Sequence, residues 1–233
     1  MTMTTTRQAV IMAGGLGTRL APLTKVIPKP LLPVGERSVL EIQLLHLKQC
    51  GIREIFLALN YKAGLFEAYF GDGSALGLRL HYSHEEKPLG TAGPLRLLRD
   101  RLAGTFLLVN GDILTNLDYR KLLRFHARQR SEFTIATKQV TLPLHYGVVQ
   151  HERGRVRKIV EKPSLAAEVN AGIYAINADL LAGLPARGAY AMDAFIHSLL
   201  RARRRLYRFP ITDYWLDIGQ LDDYNRAQQL FAK

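Results

Sequence analysis

Ala9-Val10-Ile11-Met12-Ala13-Gly14-Gly15-Leu16-Gly17-Thr18-Arg19-Leu20 starts as a strand and ends as a loop. The apolar run reads as a first, buried β-strand. Gly14, Gly15 and Gly17 then let the backbone turn tightly and bring its N–H groups close to a ligand. A nest of amides in that position suits an anion. Arg19 and Lys29 add two fixed cations, so the guest that fits is a polyphosphate. Neither common phosphate loop is present. No Gly-x-x-x-x-Gly-Lys-Ser/Thr run occurs. The third small residue of the dinucleotide pattern, counted from Gly15 and Gly17, falls on Leu20.

Outward from this loop, short apolar runs alternate with amphipathic stretches. Residues 39–48 carry apolar side chains at 39, 40, 42, 44, 45 and 47, a broad helical face. Residues 54–59 predict a strand, and 63–70 a helix closed by Gly71-Asp72-Gly73-Ser74. Residues 78–83 alternate like a strand, and 91–102 read as a helix. Residues 106–109 are wholly apolar, as at the centre of a parallel sheet, and 117–130 are helical again. This order predicts an α/β fold with a mostly parallel central sheet and helices on both faces. The second half differs. Residues 133–137, 147–150, 156–161 and 172–176 are strand-like with short connections, and predict a mixed extension of the sheet forming one wall of a pocket. Residues 191–203 and 221–231 read as closing helices. There is no linker, no repeat and no hexapeptide series, so one domain over 1–233 is expected, without a β-helix tail.

The 233 residues are 48% hydrophobic, ample for one large core. The net charge of +12 directs attention to anionic partners. The densest basic run, residues 201–208, sits at a predicted helix end, where cations complement the dipole, and reads as a solvated face. No nucleic-acid module accompanies it, so nucleic acid is not an expected partner. The single cysteine, Cys50, excludes an intrachain disulfide and a cysteine zinc site. A cytoplasmic location is expected, since residues 1–7 are threonine-rich without an apolar signal core. No apolar run is long enough to span a membrane.

Ligands of open α/β sheets lie beyond the carboxyl ends of the strands. Asn110-Gly111-Asp112 follows the apolar strand at such an end. A carboxylate there is placed to hold Mg²⁺, which takes one or two carboxylates plus substrate phosphates. Asp217, in Trp215-Leu216-Asp217-Ile218-Gly219, lies between apolar neighbours, an odd place for a charge unless something pairs with it. Two such carboxylates beside a polyphosphate loop favour a shared cation.

These pieces stand in an order that resembles the sugar-phosphate nucleotidylyltransferases, the nucleotide-sugar pyrophosphorylases. The resemblance rests on the glycine loop and Pro28-Lys29-Pro30-Leu31-Leu32-Pro33. It continues through Glu85-Glu86-Lys87-Pro88-Leu89-Gly90-Thr91-Ala92-Gly93, Asn110-Gly111-Asp112, Tyr146-Gly147 and Glu161-Lys162-Pro163. Asn170-Ala171-Gly172-Ile173-Tyr174 and Trp215-Leu216-Asp217-Ile218-Gly219 complete it, from about residue 8 to 228. It implies one Rossmann-like domain, with a nucleotide-binding half at about 8–135 and a sugar-binding half at about 136–233. It also implies an enzyme that joins a nucleoside triphosphate to a sugar 1-phosphate, releasing pyrophosphate. Position by position, Ala13, Gly14, Gly15, Gly17, Thr18, Glu85, Gly90 and Thr91 would meet the nucleotide. Arg19 and Lys29 would grip its phosphates, and Lys162 the sugar phosphate. Gly147, Glu161, Asn170 and Gly172 would line the sugar, and Asp112 and Asp217 would hold Mg²⁺. Homo-oligomerisation is left open.

In that reaction a sugar-phosphate dianion attacks the α-phosphorus of a polyanion. Two unit charges about 4 Å apart interact by roughly 4 kcal/mol at an effective dielectric near 20. Mg²⁺, Arg19, Lys29 and Lys162 together bring about five positive charges against it. The attacking group is already ionised, so no protein nucleophile or general base is needed. Direct in-line displacement is expected. Glu85 is the clue to the base: a carboxylate only accepts, and guanine offers adjacent N1–H and N2–H₂ donors. The run from Glu85 also resembles the guanylyltransferase branch, which acts on mannose or manno-heptose 1-phosphates. UTP is the alternative base, with a uridylyl- or cytidylyltransferase acting on another sugar 1-phosphate. Glu86 is an alternative acceptor one residue on. A non-catalytic, nucleotide-sugar-binding regulator is the alternative of another class; Arg19, Lys29, Asp112, Lys162 and Asp217, all present, argue against it.

Overall fold

The wholly apolar runs take the middle of a sheet, and the amphipathic stretches cover its two faces. In the computed structural model, which describes residues 7–231, the order is β1 (Gln8–Met12), α1 (Leu23–Val26), β2 (Pro33–Val34), β3 (Arg37–Ser38), α2 (Val39–Gln49), β4 (Glu54–Leu59) and α3 (Ala63–Phe70). Next come β5 (Arg79–His84), β6 (Thr105–Asn110), β7 (Ile113–Thr115), α4 (Tyr119–Arg128), β8 (Phe133–Pro143), β9 (Val148–Glu152) and β10 (Arg155–Val160). β11 (Ser164–Asn177), α5 (Met192–Arg201), β12 (Leu206–Pro210), β13 (Trp215–Asp217) and α6 (Leu221–Phe231) follow.

Seven strands form one sheet in the order β12-β8-β11-β6-β1-β4-β5. β6, β1, β4 and β5 are mutually parallel, β11 runs antiparallel to both neighbours, and β12 is parallel to β8. Alternate residues of the central strands point to opposite faces. Ile11, Ile55, Leu57, Leu107 and Val109 pack under α2, α3 and α4. Val10, Phe56, Phe106 and Leu108 pack under α5 and a 3-10 helix at Gly93–Leu98. Phe106 is fully buried; its truncation to alanine would cost about 3–5 kcal/mol.

The start of α2 is a cap: Ser38 Oγ accepts the Glu41 N–H at 3.2 Å, worth about 1 kcal/mol. The buried face of this helix is Val39, Leu40, Gln43, Leu44 and Leu47, so one amide sits among the aliphatic side chains.

Four sequence expectations change. The helix expected at 91–102 is a shorter 3-10 turn, because the Ala92 and Gly93 N–H groups both bond the Tyr190 carbonyl and Pro94 donates nothing. The strand expected at 172–176 begins at Ser164 and pairs with β8 along its length, with a register irregularity between Asn170 and Tyr174. The segments at 147–150 and 156–161 form a separate β9–β10 hairpin instead of joining the main sheet. The basic run of residues 201–208 is also more than a solvated helix end. It passes into edge strand β12: just before the strand Arg204 meets Glu132 at 2.8 Å, and within it Arg208 meets Glu168 at 2.7 Å. No helix among the described residues is long and apolar enough to cross a membrane.

Candidate active site

The loop after β1 and the turn after β6 leave neighbouring parallel strands side by side. The two are stitched together where they leave the sheet: the Gly111 N–H donates to the Met12 carbonyl at 2.9 Å. A Cβ at Gly111 would lie 2.8 Å from that oxygen, so only glycine permits the approach. Within the first loop, Gly17 sits at φ +62°, and the Thr24 hydroxyl donates to its carbonyl at 2.9 Å. The short turn that follows carries Arg19 outward. Pro28 and Pro30 flank Lys29, which is almost completely buried.

Lys29 and Asp112 form an ion pair at 2.5 Å, Nζ to Oδ2. Asp217 arrives from the other half of the chain. β13 pairs antiparallel with β7, placing Asp217 opposite Ile113, and the Ile218 N–H donates to the Asp112 carbonyl at 3.0 Å. The two carboxylates are therefore set side by side by a three-residue ladder. Burial pushes the Asp217 carboxyl up to about 6; Asp112 pushes the same way, against Lys29 and Arg19. Its Oδ1 is buried without a hydrogen-bond partner. An orphaned carboxylate oxygen, repelled by a second carboxylate, is a donor set that suits a hard divalent cation. Among the described residues no cluster of three or more acidic, histidine or cysteine ligands occurs, so further ligands would come from water and phosphate oxygens.

Two adjoining cavities open here. One, of about 230 Å³, is lined by Ala13, Gly15, Gly17, Thr18, Arg19, Lys29, Asp112 and Gly219 among others. Its lining brings four glycine-loop residues together with the charges of Arg19, Lys29 and Asp112. The second, of about 370 Å³, is lined by Gly14, Leu16, Asn60, Glu85, Pro88, Gly90, Thr91 and Asn110 among others. Both share Met12, Gly15 and Asp112. The first has the shape of a phosphate seat and the second room for a nucleobase.

Glu85 rather than Glu86 lines the second cavity. Burial raises the Glu85 carboxyl above its ordinary value, while the Leu89 N–H, 2.8 Å from Oε2, partly offsets this. A Cβ on Gly14 would come within 2.9 Å of Glu85 Oε1. Thr91 faces the same space, and its hydroxyl also accepts the Met192 N–H at the start of α5.

The residues of the second half are not gathered in the same way. Lys162 is exposed, one residue beyond Glu161 and past the end of β10, with φ +43°. Glu161 lies against Gly147, both exposed. Asn170 donates to the Tyr174 hydroxyl at 2.8 Å and accepts the Gly172 N–H at 3.0 Å. Gly172 abuts the Asn110 side chain and is the link from this group to the nucleobase-sized cavity. None of the residues lining either cavity comes from the expected mixed-sheet wall. Gln43 was not legible as a site residue, although its amide reaches the Asp112 turn. A polar residue at the i+3 position between Leu40 and Leu44 was the available signal.

A model of the nucleotidyl transferase family matches residues 8–233. Mannose-1-phosphate guanylyltransferase 1 of Arabidopsis thaliana is 36% identical over 233 residues, covering 96% of this chain and 64% of that protein. The mannose-1-phosphate guanylyltransferase catalytic subunit beta of Drosophila melanogaster is 35% identical over 231 residues, covering 96% and 62%. The chain thus spans less than two thirds of the length of these relatives. The crystal structure of HddC from Yersinia pseudotuberculosis complexed with GMP-PN superposes with a TM-score of 0.77 at 26% identity, covering 97% of this chain and 99% of that one. With the family model matching residues 8–233, the chain belongs to the nucleotidyl transferase family.

Proposed function

We propose that the chain is a guanylyltransferase: it transfers GMP from GTP to the phosphate of a mannose- or manno-heptose-type sugar 1-phosphate, giving a GDP-sugar and pyrophosphate. One observation carries this reading. Lys29, Asp112 and Asp217 meet at the mouth of the glycine loop, beside a base-sized cavity that displays the half-buried acceptor Glu85. The guanylyltransferase relatives and the GMP-PN complex of HddC support the choice of base.

In this reading the glycine-loop amides and Arg19 seat the triphosphate, and Lys29 holds its charge against the cavity floor. Asp112 and Asp217 hold Mg²⁺, which when bound supplies neutralisation and polarisation of the phosphate oxygens. Glu85 accepts from the guanine N1–H and N2–H₂ edge; each of its oxygens has lone pairs beyond the one used by Leu89. Lys162 and the Glu161–Gly147 and Asn170–Gly172 groups orient the sugar phosphate. Its oxygen attacks the α-phosphorus in line, and pyrophosphate leaves from the opposite side. The residues position charge and do not carry protons.

A matrix of four nucleoside triphosphates against a panel of sugar 1-phosphates, read by pyrophosphate release, tests the proposal. GTP with a mannose-type phosphate should lead. Tight nucleotide-sugar binding without release from any pair would replace it with the regulatory reading. Glu85→Gln should cut the preference for GTP over UTP about tenfold, the order of one hydrogen bond to a charged acceptor.

A further inference from the structure

Four backbone polar groups where β6 passes into the Asp112 turn are tied down, and one side chain ties two of them. The Gly111 N–H is held by Met12 O and the Asp112 carbonyl by the Ile218 N–H. Two more carbonyls, Asn110 O and Ile113 O, both accept from Gln43 Nε2, at 2.9 and 2.6 Å. These two carbonyls bracket Gly111 and Asp112. Gln43 stands on the buried face of α2 with 4% of its surface exposed. Two carbonyl acceptors fix the orientation of its amide, since only the NH₂ side can serve both. The opposite atom, Oε1, is then buried without a partner. Packing alone would favour an aliphatic residue here, as at Leu40, Leu44 and Leu47. A buried polar atom left unsatisfied is retained against stability.

We infer that Gln43 is a positioning residue for the proposed active site. It clamps the turn from below so that the Asp112 carboxylate is held against Lys29 Nζ and beside Asp217, the pair of carboxylates that would hold the cation. This inference rests on the reading of Asp112 as a metal ligand. Groups that hold first ligands in place typically change metal affinity or activity by about 10–100-fold when removed.

Gln43→Leu keeps the volume and removes both hydrogen bonds. Gln43→Met keeps the length of the side chain as well, and serves if the first variant does not fold. Two measurements are made on the folded variant. Amide exchange at Gly111 and Ile218, followed on the chain without metal or substrate, should accelerate at least about tenfold while the α2 core amides stay protected. The Mg²⁺ concentration giving half-maximal turnover should rise by about 10–100-fold, with the Michaelis constant for the sugar phosphate unchanged. Wild-type exchange at both amides, or an unchanged Mg²⁺ requirement, overturns the inference. The exchange measurement needs no substrate, so a wild-type chain without turnover would break the proposed function and leave this test standing.

Discussion

At the phosphate end of the cleft, the functional groups are bonded to one another before any ligand arrives. Lys29 is paired with Asp112, the Asp112 turn is bonded to β1, α2 and β13, and Thr24 holds Gly17. On the sugar side, Lys162 and Glu161 are exposed beyond a two-stranded hairpin that is separate from the main sheet. The chemistry explains the contrast. In the proposed reaction a triphosphate would meet fixed charges, which gain from pre-organisation. A hairpin outside the sheet has few buried contacts of its own, and two strands alone are marginal in water. Under the proposed function, the first region would govern rate and the second the orientation of the second substrate.

The largest effect should come from the pre-bonded end. Asp112→Asn keeps an acceptor for Lys29 but removes a charge, and should lower kcat by about 10³-fold with an unchanged fold; near-normal turnover by steady-state kinetics would erase the contrast. Lys162→Ala comes next. It should reduce kcat/KM for the sugar phosphate about 10²-fold and leave nucleotide affinity and the melting temperature alone. A fall in nucleotide binding, seen by calorimetry, would mean that the arm belongs to the same unit as the loop. A smaller effect follows from Asp217. Its carboxyl titrates at about 6, and a metal needs the ionised form. The Mg²⁺ requirement should therefore rise roughly tenfold per pH unit below about 6, and Asp217→Asn should remove that dependence.

The smallest effect lies away from the cleft and serves as a control. Buried His126 bonds Thr134 and Asn177, and burial holds it below the ordinary value of 6.5. The unfolded chain takes up a proton first as pH falls. This contribution to stability is complete above about 6.5 and declines as the pH drops below it. Melting curves should show that decline, and His126→Gln should flatten it without altering the Mg²⁺ requirement.

How much of this was legible in the sequence depended on local contrast. β4 and α3 have the bounds their patterns give, because Asn60 to Lys62 and Gly71 to Ser74 break the hydrophobic period on either side. The glycine loop, Lys29 and Asp112 were readable because strand ends in α/β sheets carry ligand groups. β12 and β13 were hidden. The first is interrupted by arginine and tyrosine at an edge, and the second has three residues whose partner lies in the other half of the chain. Period and propensity are local signals, whereas pairing over that distance is decided by tertiary contact. The sugar-side residues were named by resemblance, and the cavities do not gather them.

The β7–β13 ladder also sets an order of events. A ribosome delivers β1 to β12, every strand of the sheet, before Trp215 to Asp217 leave the exit tunnel. An interrupted product ending before Trp215 could complete its sheet while owning one of the two carboxylates. It would also lack Leu216, Ile218 and Ala227, which pack with Leu20, Val34 and Leu114, so the core beside the end of the glycine loop would go with the second carboxylate.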